Sequence, residues 1–171
     1  MMTEVVTRFG ALADFQKGGV EIIDDDPRNY VFSNVFEVAA NAQPFERVAV
    51  GKNFEYVIES ARAEGLSGWF TCAHDEFVLC MDGRIEVHLL KLADPDAHVD
   101  PESEGAVRID QDMPGGRKMG RIVLGRGHMA LLPVGAAYRF QADEPAVMLF
   151  QTIEGAVTIQ KWAQICQTEA A

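Results

Sequence analysis

Glu76 is followed after six residues by Gly83, and Gly127 is followed after five by Pro133 and, one residue later, by Gly135. Both spacings lie on short apolar runs, "DEFVLCMDG" and "GHMALLPVG". Each run is one strand long and closes on the glycine of a turn. Further short segments alternate in the same way. "RIEVHLLKL" puts Ile85, Val87 and Leu89 on one face, and "NFEYVIES" sets Phe54, Tyr56 and Ile58 against Glu55 and Glu59. "GRIVLG", "AAYRFQA" and "AVMLFQTI" add more. Regular short strands broken by turn residues predict an all-β sandwich or barrel.

The two spacings resemble the paired inter-strand motifs of the cupin superfamily. The first motif runs G-x5-H-x-H-x(3,4)-E-x6-G, the second G-x5-P-x-G-x2-H-x3-N. In an H-x-H strand both imidazoles point into the barrel. With the glutamate and the later histidine they make a site suited to Fe(II) or Mn(II). Here Glu76, Gly83, Gly127, Pro133 and Gly135 match, but the histidine positions fall on Phe70 and Cys72, or on Trp69 and Thr71 with the other spacing. The third histidine position is Tyr138 and the asparagine position is Ala142. A lone carboxylate beside a phenol does not hold Fe(II) competitively. The resemblance therefore implies a cupin (RmlC-like jelly-roll) barrel with a degenerate site of Phe70, Cys72, Glu76 and Tyr138 and no metal in this chain. Tyr138 would fill the space of a lost histidine and bond to Glu76. The alternative metal arrangement is a displaced set of His74, Glu76 and His128. The plainer reading of His74 is a turn residue bonded locally, and that of Cys72 a buried small hydrophobe rather than a reactive thiol.

One stretch does not fit a tight barrel. Residues 93–120, "ADPDAHVDPESEGAVRIDQDMPGGRKMG", are rich in Pro, Gly and acids and predict a long inserted loop with one edge strand near Val107–Ile109. Its "PGGRK" lacks the strand–loop–helix setting of a phosphate loop. At the other end, Ile159, Trp162, Ala163 and Cys166 fall at helical spacing, predicting a short C-terminal helical segment that must dock on something. Nothing divides the chain. Residues 1–171 read as one domain, with a barrel core at about 50–155, an N-terminal extension over 1–49 and a tail over 156–171.

Composition narrows the partners. With 171 residues, 48% of them hydrophobic, the chain can build one real core. Fifteen scattered basic residues against a formal net charge of −11 argue against nucleic acid and against acidic membranes. There is no basic-then-apolar leader and no apolar run of spanning length. The three cysteines, Cys72, Cys80 and Cys166, are widely spaced, so free thiols in a cytoplasmic protein are the expectation.

A finer resemblance runs along nearly the whole chain. "FQKGGVEIIDDDPRNYVFSNVFEVA", "ERVAVGKNFEYVIE", "HDEFVLCMDGRIEVHLLKL" and "GRKMGRIVLGRGHMALLPVGAAYRFQA" are similar to the small subunit of two-subunit hydroquinone 1,2-dioxygenases. That resemblance implies a partner, a larger cupin subunit carrying non-haem Fe(II), in a heterotetramer of two small and two large chains. The complex would cleave a hydroquinone-type phenol to 4-hydroxymuconic semialdehyde. No iron ligand of the family carries over here. Trp69, Phe70 and Trp162 are the candidates for walling the partner's pocket or anchoring the interface, though Trp69 and Phe70 could instead fill the vacated barrel, a reading at least as good for Phe70. Two other readings stay open: a stand-alone small-molecule-binding or regulatory cupin, and a metal-free isomerase moving protons with Tyr138 and His74.

Overall fold

The computed structural model describes residues 10–15, 24 and 34–161. A short helix, α1 (Val35–Asn41), precedes ten strands: β1 (Arg47–Asn53), β2 (Tyr56–Leu66), β3 (Trp69–Cys72), β4 (Glu76–Asp82), β5 (Arg84–Leu92), β6 (Ala106–Ile109), β7 (Gly116–Gly125), β8 (Met129–Leu132), β9 (Ala136–Ile153) and β10 (Thr158–Ile159). Two sheets share β9. Its second half lies between β2 and β4, giving β10-β1-β2-β9-β4-β8, and its first half lies between β3 and β5, giving β6-β3-β9-β5-β7. Gln141 and Ala142 also meet the end of β2, and the strand passes from sheet to sheet across the exposed Asp143–Pro145. This is a nearly closed jelly-roll barrel, as expected of a cupin.

The space between the sheets is mostly apolar, apart from one buried group of charged side chains. Ile85, Val87 and Leu89 point into it as their alternation predicts, beside Val78, Phe140, Met148 and Phe150. Gly83 shows why the motif needs glycine. Its φ is +79°, and an added Cβ would lie 2.6 Å from that of Ala146. On β2 the apolar side of the alternation faces out. Val57, Glu59 and Ala61 are buried, whereas Tyr56 and Ile58 are exposed.

The 93–120 stretch is more ordered than a free loop. It holds a single 3-10 turn at Pro95–Ala97, the predicted edge strand as β6 against β3, and the start of β7 at Gly116. The expected helix through Ile159 is not formed there. Thr158 and Ile159 pair in parallel with Arg47 and Val48 instead, and the Thr158 hydroxyl bonds to Glu59, so edge pairing overrides local periodicity. Trp162, Ala163 and Cys166 lie outside the described residues.

Candidate functional site

β3 and β9 place Phe70 opposite Tyr138, both facing inward, with rings 6.1 Å apart and nearly parallel. Tyr138, Phe140 and Phe150 continue the line as edge-to-face pairs. Aromatic packing thus occupies two of the three positions where histidines would converge on a metal, those of Phe70 and Tyr138. Glu76, the surviving motif carboxylate, opens β4 and is fully buried. It accepts the Tyr138 hydroxyl proton on one oxygen, as the sequence leads one to expect, and the Arg47 guanidinium on the other at 2.7 Å.

Arg47 is the residue sequence reasoning missed. It opens β1 and is buried, 3% exposed. Its Nη2 donates to Glu76, its Nε donates to Glu59 at 2.5 Å, and its Nη1 lies 3.3 Å from the Tyr138 hydroxyl. The guanidinium also stacks over Phe150, 4.0 Å from the ring centre. The other Glu59 oxygen accepts from Thr158 at 2.5 Å. A covalently attached cation therefore stands against the motif carboxylate. Such a fork satisfies two buried carboxylates in a way a lysine cannot.

The electrostatics follow from that contact. Burial pushes the Glu76 carboxyl up, but the Arg47 charge and the hydrogen bonds from Tyr138 and Arg47 outweigh it and leave the group below its usual value. Burial, and then the Glu76 charge, push the Tyr138 phenol well up. Burial and Glu76 also raise the Cys72 thiol to about 11, so it stays protonated and fits a buried hydrophobe rather than a nucleophile.

A testable consequence concerns acid. A carboxyl whose pKa is lowered on folding adds stability above its unfolded value, and that stability is lost as pH falls through the folded one. The wild type should lose stability steeply as pH drops below the ordinary glutamate value of 4.5. Glu76→Gln should start less stable at pH 7 and lose less over the same interval. Denaturant titrations from pH 7 to 3 measure both slopes. Equal slopes would show that Glu76 gains nothing from its partners.

The residues do not fit the metal that the fold commonly carries. Among the described residues no three His, Cys, Asp or Glu side chains are grouped to hold a metal ion. The displaced set is not brought together. His74 sits in the bend between β3 and β4 with Nδ1 beside its neighbour's carbonyl, at Asp75. His128 lies in the turn before β8, where its Nδ1 accepts from the Gly125 amide. Glu76 is bonded to Arg47 and Tyr138, which also commits the phenol that the isomerase reading would pair with His74.

Trp69 points away from the barrel interior. It packs with Leu90, Leu92, Ile109 and Ala137, donates its indole N–H to the Asp112 carbonyl at 3.0 Å and carries the Arg139 guanidinium over its ring at 4.7 Å. It lines an open cleft of about 370 Å³ with Arg108, Arg139 and Gly68. A neighbouring cleft of about 550 Å³ opens at the barrel mouth between Phe45, Phe70 and Val157 and reaches Arg47.

Comparison with known proteins sharpens this. No family model and no curated protein sequence matches the chain. Among solved structures, a chain of hydroquinone 1,2-dioxygenase from Sphingomonas sp. TTNP3 with 4-hydroxybenzoate bound is 81% identical over 98% of this chain and 100% of that one, with a TM-score of 0.93. A chain of hydroquinone 1,2-dioxygenase PnpCD in complex with Cd2+ and 4-hydroxybenzonitrile is 49% identical over 98% and 100%, with a TM-score of 0.88. A longer chain of PnpCD in complex with Fe3+ shares the fold at 11% identity, TM-score 0.60, matched over 85% of this chain but 39% of its own.

Proposed function

Because the chain belongs to the hydroquinone 1,2-dioxygenases of the cupin superfamily, we propose that it is their smaller, non-iron subunit. It would stabilise a larger cupin subunit that binds Fe(II), in an assembly of two small and two large chains. The reaction inserts both atoms of O2 into hydroquinone and opens the ring beside a hydroxyl to give 4-hydroxymuconic semialdehyde. Iron held by the larger subunit would supply the activation of O2 and of the phenol, and no residue of this chain would ligate it. This chain's residues hold a barrel shut and present surfaces to the partner, with Trp69 and its cleft facing the partner's active-site mouth.

The observation that carries the reading is Arg47. A guanidinium bonded to both Glu59 and Glu76 sets a positive charge against the carboxylate that a metal would need. The relatives' structures hold Cd2+ or Fe3+, and on this reading the longer chain carries the metal. Co-expression with that longer chain tests this. The two should co-elute, with iron following the longer chain through dissociation. Recovery of the iron on this chain would overturn the reading.

A further inference from the structure

Granting the two-subunit reading proposed above, we infer that the larger subunit docks on the outward face of the β2-β9-β4-β8 sheet. Register makes this face one surface. Ile58, Gln151, Phe77 and Leu131 form one cross-strand row, and Ser60, Leu149, Leu79 and Met129 form the next. Val57, Val78 and Phe150 point inward, so these rows point out. Neither row contains an ionisable side chain, in a chain of formal net charge −11.

Tyr56, Ile58, Phe77, Met129 and Leu131 are all exposed, Met129 to 60%. Phe54, at the tip of the β1–β2 turn beside them, is 82% exposed and sits at φ +57°, a conformation disfavoured for an aromatic residue. Contiguous apolar faces of this kind mark interaction sites. The chain itself shows how such a face is covered. Farther along the same strands, Val147 and Met81 pack under Phe36 of α1 and under Leu12, and the Ser60 hydroxyl donates to the Val35 carbonyl. Among the described residues the covering stops there. Lys52 and Glu154 pair at the opposite margin, giving the uncovered part a polar rim.

The occupant is the longer cupin chain rather than a second copy of this one. Enzymes of this family contain such a chain with the same fold, so an uncharged sheet face here has a partner built of similar sheets. Pairing two copies would instead bring together two chains that each carry −11.

The test uses the co-expressed complex. Phe77→Lys places a charge at the centre of the face. Phe54→Asp places one at the exposed turn, where aspartate tolerates the backbone better than phenylalanine, so folding is not at stake. Val123→Lys, on an exposed apolar residue of β7, is the control. Both face variants should weaken association by tenfold or more in sizing and titration of the complex, with thermal unfolding of this chain unchanged for Phe54→Asp. Val123→Lys should leave association intact. Full association of both face variants, while the wild type associates, overturns the assigned surface and leaves the two-subunit reading standing. A wild type that never associates overturns that reading itself. Face variants that abolish only self-association of this chain overturn the assignment in favour of a second copy.

Discussion

Arg47→Met should destabilise the chain by about 3–5 kcal/mol, the usual cost of removing one partner from a buried ion pair. Methionine replaces most of the volume, so the effect is electrostatic rather than a cavity. Glu59 and Glu76 are both fully buried and would face each other across the core without the guanidinium that now bonds to each. On a domain whose whole stability is on the order of 5–15 kcal/mol, that is a fall in Tm of about 6–20 °C. Neutralising the acids should recover much of it. The triple variant Arg47→Met, Glu59→Gln, Glu76→Gln should be clearly more stable than Arg47→Met alone, because the desolvated charges are gone. Thermal and denaturant unfolding of the single and triple variants measures both. If the single variant unfolds like wild type, the guanidinium does not hold this core.

The second large effect is on chemistry. The chain by itself, loaded with Fe(II) and desalted, should retain far less than one equivalent of iron. It should open hydroquinone no faster than background, a deficit of at least about 10⁶-fold against the assembled enzyme. Installing the motif histidines with Phe70→His and Cys72→His should not change this while Arg47 remains, because its charge repels a second cation at Glu76. Metal analysis and product assays on the same samples decide it. One tightly held iron in the unaltered chain would mean that other residues form a site.

Much of this architecture is legible in the sequence because glycine and proline positions report backbone geometry directly. Gly83, Gly127 and Gly135 all have positive φ, and the strands around them fall where the spacing puts them. "RIEVHLLKL" is β5 from end to end. The segments "AAYRFQA" and "AVMLFQTI" prove to be halves of one strand that runs on through Pro145. The aromatic replacements Phe70 and Tyr138 stack on each other. The cation does not announce itself. Arg47 lies ahead of both motifs in "FERVAV", and arginine is seldom buried unless paired. The available signal was indirect. Losing the histidines left Glu76 in a core with nothing positive beside it, which called for a donor from elsewhere. Glu59 was hidden by its neighbours, since the alternation of Tyr56 and Ile58 reads as the buried side although it faces out. Only the register of β2 against β9, with Glu59 opposite Phe150 and Val57 opposite Thr152, reverses it.

The length of β9 has a consequence for how the chain comes together during synthesis. β2, β3, β4 and β5 all hydrogen-bond to it, and all precede it in the chain. Neither sheet can be completed until its residues have left the ribosome, so the earlier strands must wait, their pairing edges open, for a common partner. Such non-local pairing slows folding and leaves open edges available to other chains. At a translation rate of about 5–20 residues per second the wait lasts some seconds. The nascent barrel is therefore exposed to wrong partners until the strand that joins its two sheets has emerged.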